Sequence, residues 1–369
     1  MKEIPLLSYY SSIGAEIGGF AGWKSPLWFT SNREEHLAVR SGAGLFDITH
    51  MTRIAVRGGD APTLLQHVLT IDIQRLKPGK MKYCLMCNES GGIIDDLTVF
   101  KHPDRRDYFI IVSNAITHDR VLSELLERSK KLNVEVVDLT FETSLYALQG
   151  PRSTELASKF TEKDLSMMKW FTGFETTIDN VPTLITRSGY TGENGYEFMF
   201  WTWDIEKLRK IWSRIISLGA TPCGLASRDS LRLEAGYPLY GYDMDEETNP
   251  IEARLDFAID FSKEYFTGKE AIMKILESKQ IRRVLVGFKC AEKAIPRRGY
   301  EVLDRSNQIV GNVTSGGFSF TFGIGIGLGY VRPEYANEGE KLKIKCKEKH
   351  REIEVTLKPI VPHRMKNRD

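Results

Sequence analysis

Residues 52–57 (TRIAVR) alternate polar and apolar with the period of two expected of a half-buried strand, after which the period changes. Asp60 stands before a run in which Leu64, Leu65, Val68 and Leu69 share one helical face, so the spacing predicts a helix there. Strand-like runs follow at 82–87 (KYCLMC), 93–100 (IIDDLTVF) and 108–113 (YFIIVS). Glu89-Ser90-Gly91-Gly92 and His102-Pro103-Asp104 separate them with turn chemistry, and the first two runs read as a hairpin. Helical periodicity returns from Ile116 to Leu132, with Val121, Leu122, Leu125 and Leu126 apolar, before a last strand at 134–138. The order is similar to a split βαβ, ferredoxin-like unit with extra strands.

Further strands are predicted at 143–148, 183–187 and 196–200, then a helix capped by Asp204 whose apolar face is Ile205, Leu208, Ile211, Trp212, Ile215 and Ile216, ending at Gly219. A second helix, at about 224–235, ends at Gly236. Residues 1–51 and 140–278 therefore read as one discontinuous α+β unit into which residues 52–139 are inserted. From about residue 280 the helical period disappears. Runs at 283–289, 308–314, 325–331 and 341–347 are all strand-like and predict a small all-β domain over 279–369. Lys341, Lys343, Lys345, Lys347 and Lys349 alternate with Leu342, Ile344 and Cys346, the pattern of a half-buried strand with a solvated lysine face; an electrostatic dock for an acidic partner is the other reading.

The 369 residues are 41% hydrophobic and 27% charged, which excludes disordered and fibrous classes. A net charge of +2 offers no polyelectrolyte footprint for nucleic acid or an anionic membrane, so a small or protein-borne substrate is expected. Five scattered cysteines do not make a disulfide scaffold, and Met1 to Tyr10 lacks a basic region followed by a long apolar one; both point to the cytoplasm.

Cys84-Leu85-Met86-Cys87 has the spacing of a zinc or redox pair, but no second pair completes four ligands, and residues three apart on a strand face opposite sides; two packing residues are expected and no metal site. Gly323, Gly325, Gly327 and Gly329 lack a following helix, so close backbone approach in a barrel strand is expected rather than a dinucleotide loop. His36 and His50 have no nucleophile beside them and read as structural or hydrogen-bonding residues. Asp95-Asp96 is more informative. Two adjacent carboxylates in an apolar strand force one of them inward unless the strand is bulged, and an inward carboxylate needs a cation, a donor or a ligand. Function and a salt-bridged structural aspartate both remain open on pattern alone. Arg228 and Arg232 lie four apart on one helix, where one can turn inward to a carboxylate, and Glu193 and Glu197 follow a Gly189-Tyr190-Thr191-Gly192 turn that reads as a ligand-approaching loop or an ordinary hairpin.

Taken together these segments resemble the aminomethyltransferase family, the T-protein of the glycine cleavage system, along nearly the whole chain. The resemblance is carried by Phe20-Ala21-Gly22-Trp23, Glu35-His36-Leu37-Ala38-Val39-Arg40, Gly44-Leu45-Phe46-Asp47-Ile48-Thr49-His50-Met51 and Asn88-Glu89-Ser90-Gly91-Gly92-Ile93-Ile94-Asp95-Asp96-Leu97. It continues through Ser188-Gly189-Tyr190-Thr191-Gly192-Glu193-Asn194-Gly195-Tyr196-Glu197, the run from Gly224 to Gly236, and Leu239-Tyr240-Gly241. It implies a three-domain cloverleaf, two ferredoxin-like α+β units and a C-terminal β-barrel around a central channel for tetrahydrofolate. It also implies transfer of an aminomethyl group from the lipoyl arm of H-protein to tetrahydrofolate, giving methylenetetrahydrofolate, ammonia and dihydrolipoyl H-protein, with no metal and no nucleotide. By the same resemblance Asp96 faces the reacting folate nitrogens, Glu197 grips the pterin, Arg228 lines that pocket, and Tyr83, Tyr190 and Met51 lie near the folate.

Two departures stand out. Relatives often end in a Pro-x-x-Tyr-Tyr-like segment where this chain has Pro362-His363-Arg364-Met365, so no C-terminal folate residue is assigned; and Ser319-Phe320 replaces the usual Ser-Pro. The alternatives are a folate-dependent demethylase of a small methylated donor and a non-enzymatic folate-binding iron–sulfur assembly factor. The latter is recognised by a Lys-Gly-Cys motif, where this chain reads Ser262 to Glu270 without cysteine.

Overall fold

The computed structural model describes residues 1–278, 280–291, 294–346 and 349–365. A six-stranded sheet runs Gly173–Ile178, Val181–Thr186, Gly195–Phe200, Ser144–Gln149, Gly44–Asp47, Thr221–Cys223 across its width. The chain leaves this sheet after Asp47, builds a five-stranded sheet from Thr52 to Asp138, and returns at Ser144, whose strand pairs directly with Gly44–Asp47. The five-stranded sheet is ordered Met81–Cys87, Ile93–Lys101, Tyr108–Ser113, Thr52–Arg57, Glu135–Asp138. Helices Ala61–Val68 and His118–Ser129 contribute Leu64, Leu65, Val121 and Leu125 to one of its cores. Met244, Leu255, Phe266 and Ile272 pack with Leu85, Cys87 and Ile93 in a separate cluster.

Helix Ile205–Ser217 shows why the pattern was readable. Asp204 caps it by accepting from the Lys207 amide at 3.0 Å, and Leu208, Ile211, Trp212 and Ile215 are buried among Tyr146, Phe198 and Phe200, each stabilising the packing by about 1.5–3 kcal/mol. Ile205, on the expected apolar face, is exposed in the first turn of the helix.

From Val284 the chain closes a six-stranded barrel, ordered Val284–Cys290, Ile324–Val331, Ile309–Ser319, Glu301–Leu303, Lys341–Cys346, Lys349–Thr356. Gly325 does admit close backbone approach: a Cβ there would lie 1.7 Å from the Ala294 carbonyl oxygen. Leu342 and Ile344 fill the barrel core, while Lys341 and Lys345 pair with Glu354 and Glu301, so the lysine face is solvated and partly neutralised by its neighbours; Lys347 lies outside the described residues. Leu233 of helix Leu225–Glu234 packs with Leu285, Ile326, Leu328 and Ile360, making an apolar seam between this helix and the barrel. Among the described residues no helix is long and apolar enough to cross a membrane.

Candidate active site

A β-bulge sets the geometry of the aspartate pair. Cys87 pairs with Ile93 and Met86 with Asp95, leaving Ile94 as the extra residue of its strand. Beyond it the alternation is regular: Asp95 shares the parity of Leu97 and Val99, which are buried in the helix-covered core, and Asp96 that of Thr98 and Phe100 on the opposite face. Asp95 is therefore the inward residue, fully buried, and Asp96 is half-buried and lines the main cavity.

Asn114, immediately beyond strand Tyr108–Ser113, reaches round the strand edge and touches both. Its Nδ2 donates to Asp95 Oδ1 at 2.7 Å and to Asp96 Oδ1 at 2.8 Å, and its backbone N–H donates to Asp95 Oδ2 at 3.0 Å. Thr117 Oγ1 lies within hydrogen-bond distance of Asp95 Oδ2 at 2.8 Å, and the Tyr83 hydroxyl donates to Asp96 Oδ2 at 3.0 Å. Burial raises both carboxyls above the usual range. For Asp95 the neighbouring Asp96 adds to the rise, while the donors from Asn114 and from Thr117 or Tyr83 oppose it at each residue. Among the described residues neither carboxylate is in an ion pair, so the salt-bridged structural reading of this pair is not what the fold builds.

The cavity has a volume of about 630 Å³, within the range of sites that enclose a drug-sized ligand. Tyr83, Asp96 and Tyr190 line it together, and among the described lining residues Asp96 is the single carboxylate. Tyr83 stacks on Phe257 at 5.9 Å between ring centroids and Tyr190 on Tyr237 at 5.5 Å, so two stacked aromatic pairs line the cavity together with the carboxylate. The Tyr190 hydroxyl donates to the Pro238 carbonyl, and burial pushes the Tyr83 and Tyr190 phenols above their ordinary value, so both are neutral donors at physiological pH.

Arg228 is not among the residues lining the cavity: its guanidinium stands 5.0 Å from the ring centroid of Tyr190, which does line it, and its Nη1 is buried without a hydrogen-bond partner. Burial lowers its pKa while Glu197 and Tyr190 favour the charged form. Glu197 is half-buried, takes a hydrogen bond from Ser188, and borders a small void with Met81, Thr98 and Phe100 rather than the main cavity. The Gly189–Gly195 loop before it wraps Gln149 so tightly that a Cβ at Gly189 would lie 1.9 Å from that side chain. Gln149 in turn holds the Ser188 carbonyl and the Thr191 hydroxyl. Met51 does not line the cavity: it packs beside Phe46, Ile48 and Phe100, and its carbonyl accepts from Arg53.

The companion residues fall into supporting roles. Arg232, not Arg228, is the arginine that meets carboxylates, Asp229 at 2.8 Å and Asp243 at 2.9 Å, and it also donates to Ser315 of the barrel. Glu193 is buried against Arg40 at 2.9 Å. His36 hydrogen-bonds Ser230 and Glu234. His50 Nδ1 has no partner; burial, then Arg228 and Arg53, push its pKa down to about 3, so it is neutral. Cys84 and Cys87 fall into different core clusters, as their spacing requires, and burial raises both thiols. Among the described residues no group of three or more His, Cys, Asp or Glu side chains could hold a metal ion.

Sequence reasoning missed several walls of the cavity. Trp170 and Phe171 come from a loop, Phe171 at a φ of +57°, and Phe257 from the 3-10 turn Asp256–Ala258, and no periodicity marks them. The C-terminal segment, where the sequence assigns no folate residue, lines the cavity with His363 and Met365; His363 Nε2 lies 2.9 Å from the Ala235 carbonyl oxygen and the Arg364 amide donates to the Gly192 carbonyl. The Ser319-Phe320 departure is absorbed by Glu234, which accepts from Ser319 Oγ at 2.6 Å and from the Thr321 amide at 3.1 Å.

Comparison with known proteins agrees with this architecture. The family model described as the GCVT N-terminal domain matches residues 6–263, and that described as the glycine cleavage T-protein C-terminal barrel domain matches residues 283–361. The chain is 39% identical over 347 residues to an aminomethyltransferase of Caldanaerobacter subterraneus, covering 93% of this chain and 91% of that one. It is 40% identical over 324 residues to an aminomethyltransferase of Thermotoga maritima, covering 86% of each. The crystal structure of the glycine cleavage system aminomethyltransferase T from Bartonella henselae superposes with a TM-score of 0.91 at 35% identity, covering 99% of both chains. The chain belongs to the glycine cleavage T-protein family of aminomethyltransferases.

Proposed function

We propose that this chain transfers a one-carbon unit from the aminomethyl-lipoyl arm of a lipoylated H-protein to tetrahydrofolate. Ammonia is released, and 5,10-methylenetetrahydrofolate and dihydrolipoyl H-protein are formed. The observation that carries the reading is the cavity of about 630 Å³ in which Asp96, clamped by Tyr83 and Asn114, is the single carboxylate among the described lining residues. The carbon–sulfur and carbon–nitrogen bonds of the donor break and two carbon–nitrogen bonds form, so positive charge develops at the one-carbon centre. A carboxylate fixed by Tyr83 and Asn114 stabilises that charge, an effect worth about 10²–10³-fold in turnover by analogy with other preorganised electrostatic groups. Tetrahydrofolate supplies the nucleophilic nitrogens, which leaves the protein to bind, orient and hold charge.

The residues present fit a reduced folate. The Tyr83–Phe257 and Tyr190–Tyr237 surfaces suit a flat ring and an aminobenzoyl group, Arg228 Nη1 has an unused N–H beside Tyr190 for a ring carbonyl, and Glu197 is assigned as the acceptor of ring N–H groups, which requires the small void it borders to open into the cavity. Met51 supports this pocket from behind through its packing and the Arg53 contact. All five cysteines are free, which supports a cytoplasmic setting. The test is tetrahydrofolate binding by calorimetry. Arg228→Met and Glu197→Gln should each weaken binding about 10- to 100-fold, the loss of one charge-assisted hydrogen bond; unchanged affinity in both variants would place the folate elsewhere.

A further inference from the structure

The mechanism above uses Asp96 and leaves Asp95 unexplained, although Asp95 is the more deeply buried of the two. Both Oδ1 atoms take a hydrogen bond from the same Asn114 amide nitrogen, so the carboxyls are close neighbours, with no ion pair to either among the described residues. The titratable groups whose fields reach Asp95 include Asp96 on its own strand, Tyr83 and Cys84 on the paired strand, and Tyr240 from the 239–244 turn. The last three are neutral at physiological pH, their pKa values raised first by burial. Two full negative charges in that setting would share the Asn114 amide and the neutral donors of Asn114, Thr117 and Tyr83 with no counter-charge. The remaining neighbour, at the start of helix His118–Ser129, is Thr117. Its hydroxyl carries one hydrogen but lies within bonding distance of two acceptors, Asp95 Oδ2 at 2.8 Å and the Asn114 carbonyl oxygen at 3.0 Å. If Asp95 is ionised, Thr117 must give its hydrogen to Asp95. With a proton on Asp95 Oδ2 the chain is complete: Asp95 donates to Thr117 Oγ1, and Thr117 donates to the Asn114 carbonyl.

We propose that Asp95 is a positioning residue that keeps a proton through Thr117, so that the pair carries one negative charge and Asn114 and Tyr83 hold that charge on Asp96, facing the cavity. This rests on Asp96 being the charged group of the proposed reaction. Asp95 touches no substrate; it fixes where the charge of the pair resides.

Infrared difference spectroscopy with isotopically labelled aspartate tests this on the wild-type protein without any turnover. A protonated carboxyl band should be present at pH 7, bleach only on alkalinisation, because burial and then Asp96 raise the Asp95 carboxyl, and vanish in Asp95→Asn. The absence of such a band from the wild type at pH 7 would overturn the proposal. The pH profile of kcat gives a second readout that a merely structural role would not produce. If Asp95 is already neutral, Asp95→Asn should leave the acid limb within a few tenths of a pH unit of wild type, with kcat at pH 7 falling less than tenfold. If Asp95 is ionised in the working enzyme, the substitution removes a like charge and the acid limb moves down by a unit or more, which contradicts the proposal. Failure of the functional reading is separate: it shows as full turnover by Asp96→Asn, whatever the infrared band does.

Discussion

Glu234 joins three parts of the molecule, and replacing it by Gln should loosen the cavity without touching its lining aromatics. Its carboxylate accepts from Arg40 Nη2 at 2.8 Å and Nε at 3.1 Å on helix Asn32–Ser41, and from Ser319, the Thr321 amide and Thr321 Oγ1 on the barrel hairpin; His36 Nε2 lies 3.1 Å away. It also ends the helix whose Leu233 borders the cavity. Burial alone would raise its pKa, but His36, Ser319 and Arg40 overcome this and hold it at about 2 against an ordinary 4.5, which corresponds to about 3 kcal/mol. Breaking a buried ion pair typically costs about 3–5 kcal/mol, and the low end applies because Arg40 keeps Glu193 as a partner. Because the folded pKa lies below the unfolded one, the unfolded chain binds more protons between the two values. This contribution is thus complete above pH 4.5 and is lost as pH falls toward about 2. Urea titrations followed by tryptophan fluorescence should show Glu234→Gln about 3 kcal/mol less stable at pH 7, with the gap narrowing by about 1 kcal/mol at pH 4. The KM for tetrahydrofolate should rise with it. A gap under about 1 kcal/mol at pH 7, or one that does not narrow on acidification, would refute the reasoning.

Tyr83→Phe removes one of the donors that oppose the burial of Asp96, so the Asp96 carboxyl should rise further; the acid limb of kcat should move up by about one pH unit, and an unmoved limb would exclude ionised Asp96 from the rate-determining step. Arg53→Met leaves the carbonyls of Thr49, Met51, Thr140 and Thr143 without their guanidinium, at the junction between the inserted sheet and the outer unit. It should lower stability by about 3–5 kcal/mol in denaturant titrations. With a thiol reagent at pH 8, half-buried Cys346 should react first, whereas buried Cys84, Cys87, Cys223 and Cys290 should wait for denaturant; rapid labelling of Cys84 or Cys87 in the native protein would contradict their packing role.

Regular elements were legible because their periodicity reports burial directly. The Ile205–Ser217 helix and the Thr52–Arg57, Tyr108–Ser113 and Ile324–Val331 strands sit within a residue or two of where alternation predicts them. The buried aspartate was also legible, since an apolar strand cannot hide two adjacent carboxylates on one face. What alternation could not give is the bulge at Ile94 that decides which aspartate faces the cavity, nor Asn114, whose clamp depends on a strand end 18 residues away in sequence from Asp96. Trp170, Phe171, Phe257 and His363 were invisible for a related reason: segments outside strands and long helices are placed by tertiary contacts, and a chain carries no local signal for a wall built from three distant segments. The family resemblance supplied Glu197 and Arg228, but not the finding that Glu197 borders a separate small void.

The central claim is that Asp96 stabilises charge during folate-dependent transfer, and single-turnover ammonia release from aminomethylated H-protein tests it most directly. Measured with and without tetrahydrofolate, wild type should release ammonia in a burst that requires folate. Asp96→Asn should bind folate with little change and release ammonia at least about 100-fold more slowly. Equal loss of folate binding and release in the variant, or release by wild type that is indifferent to folate, would contradict the account.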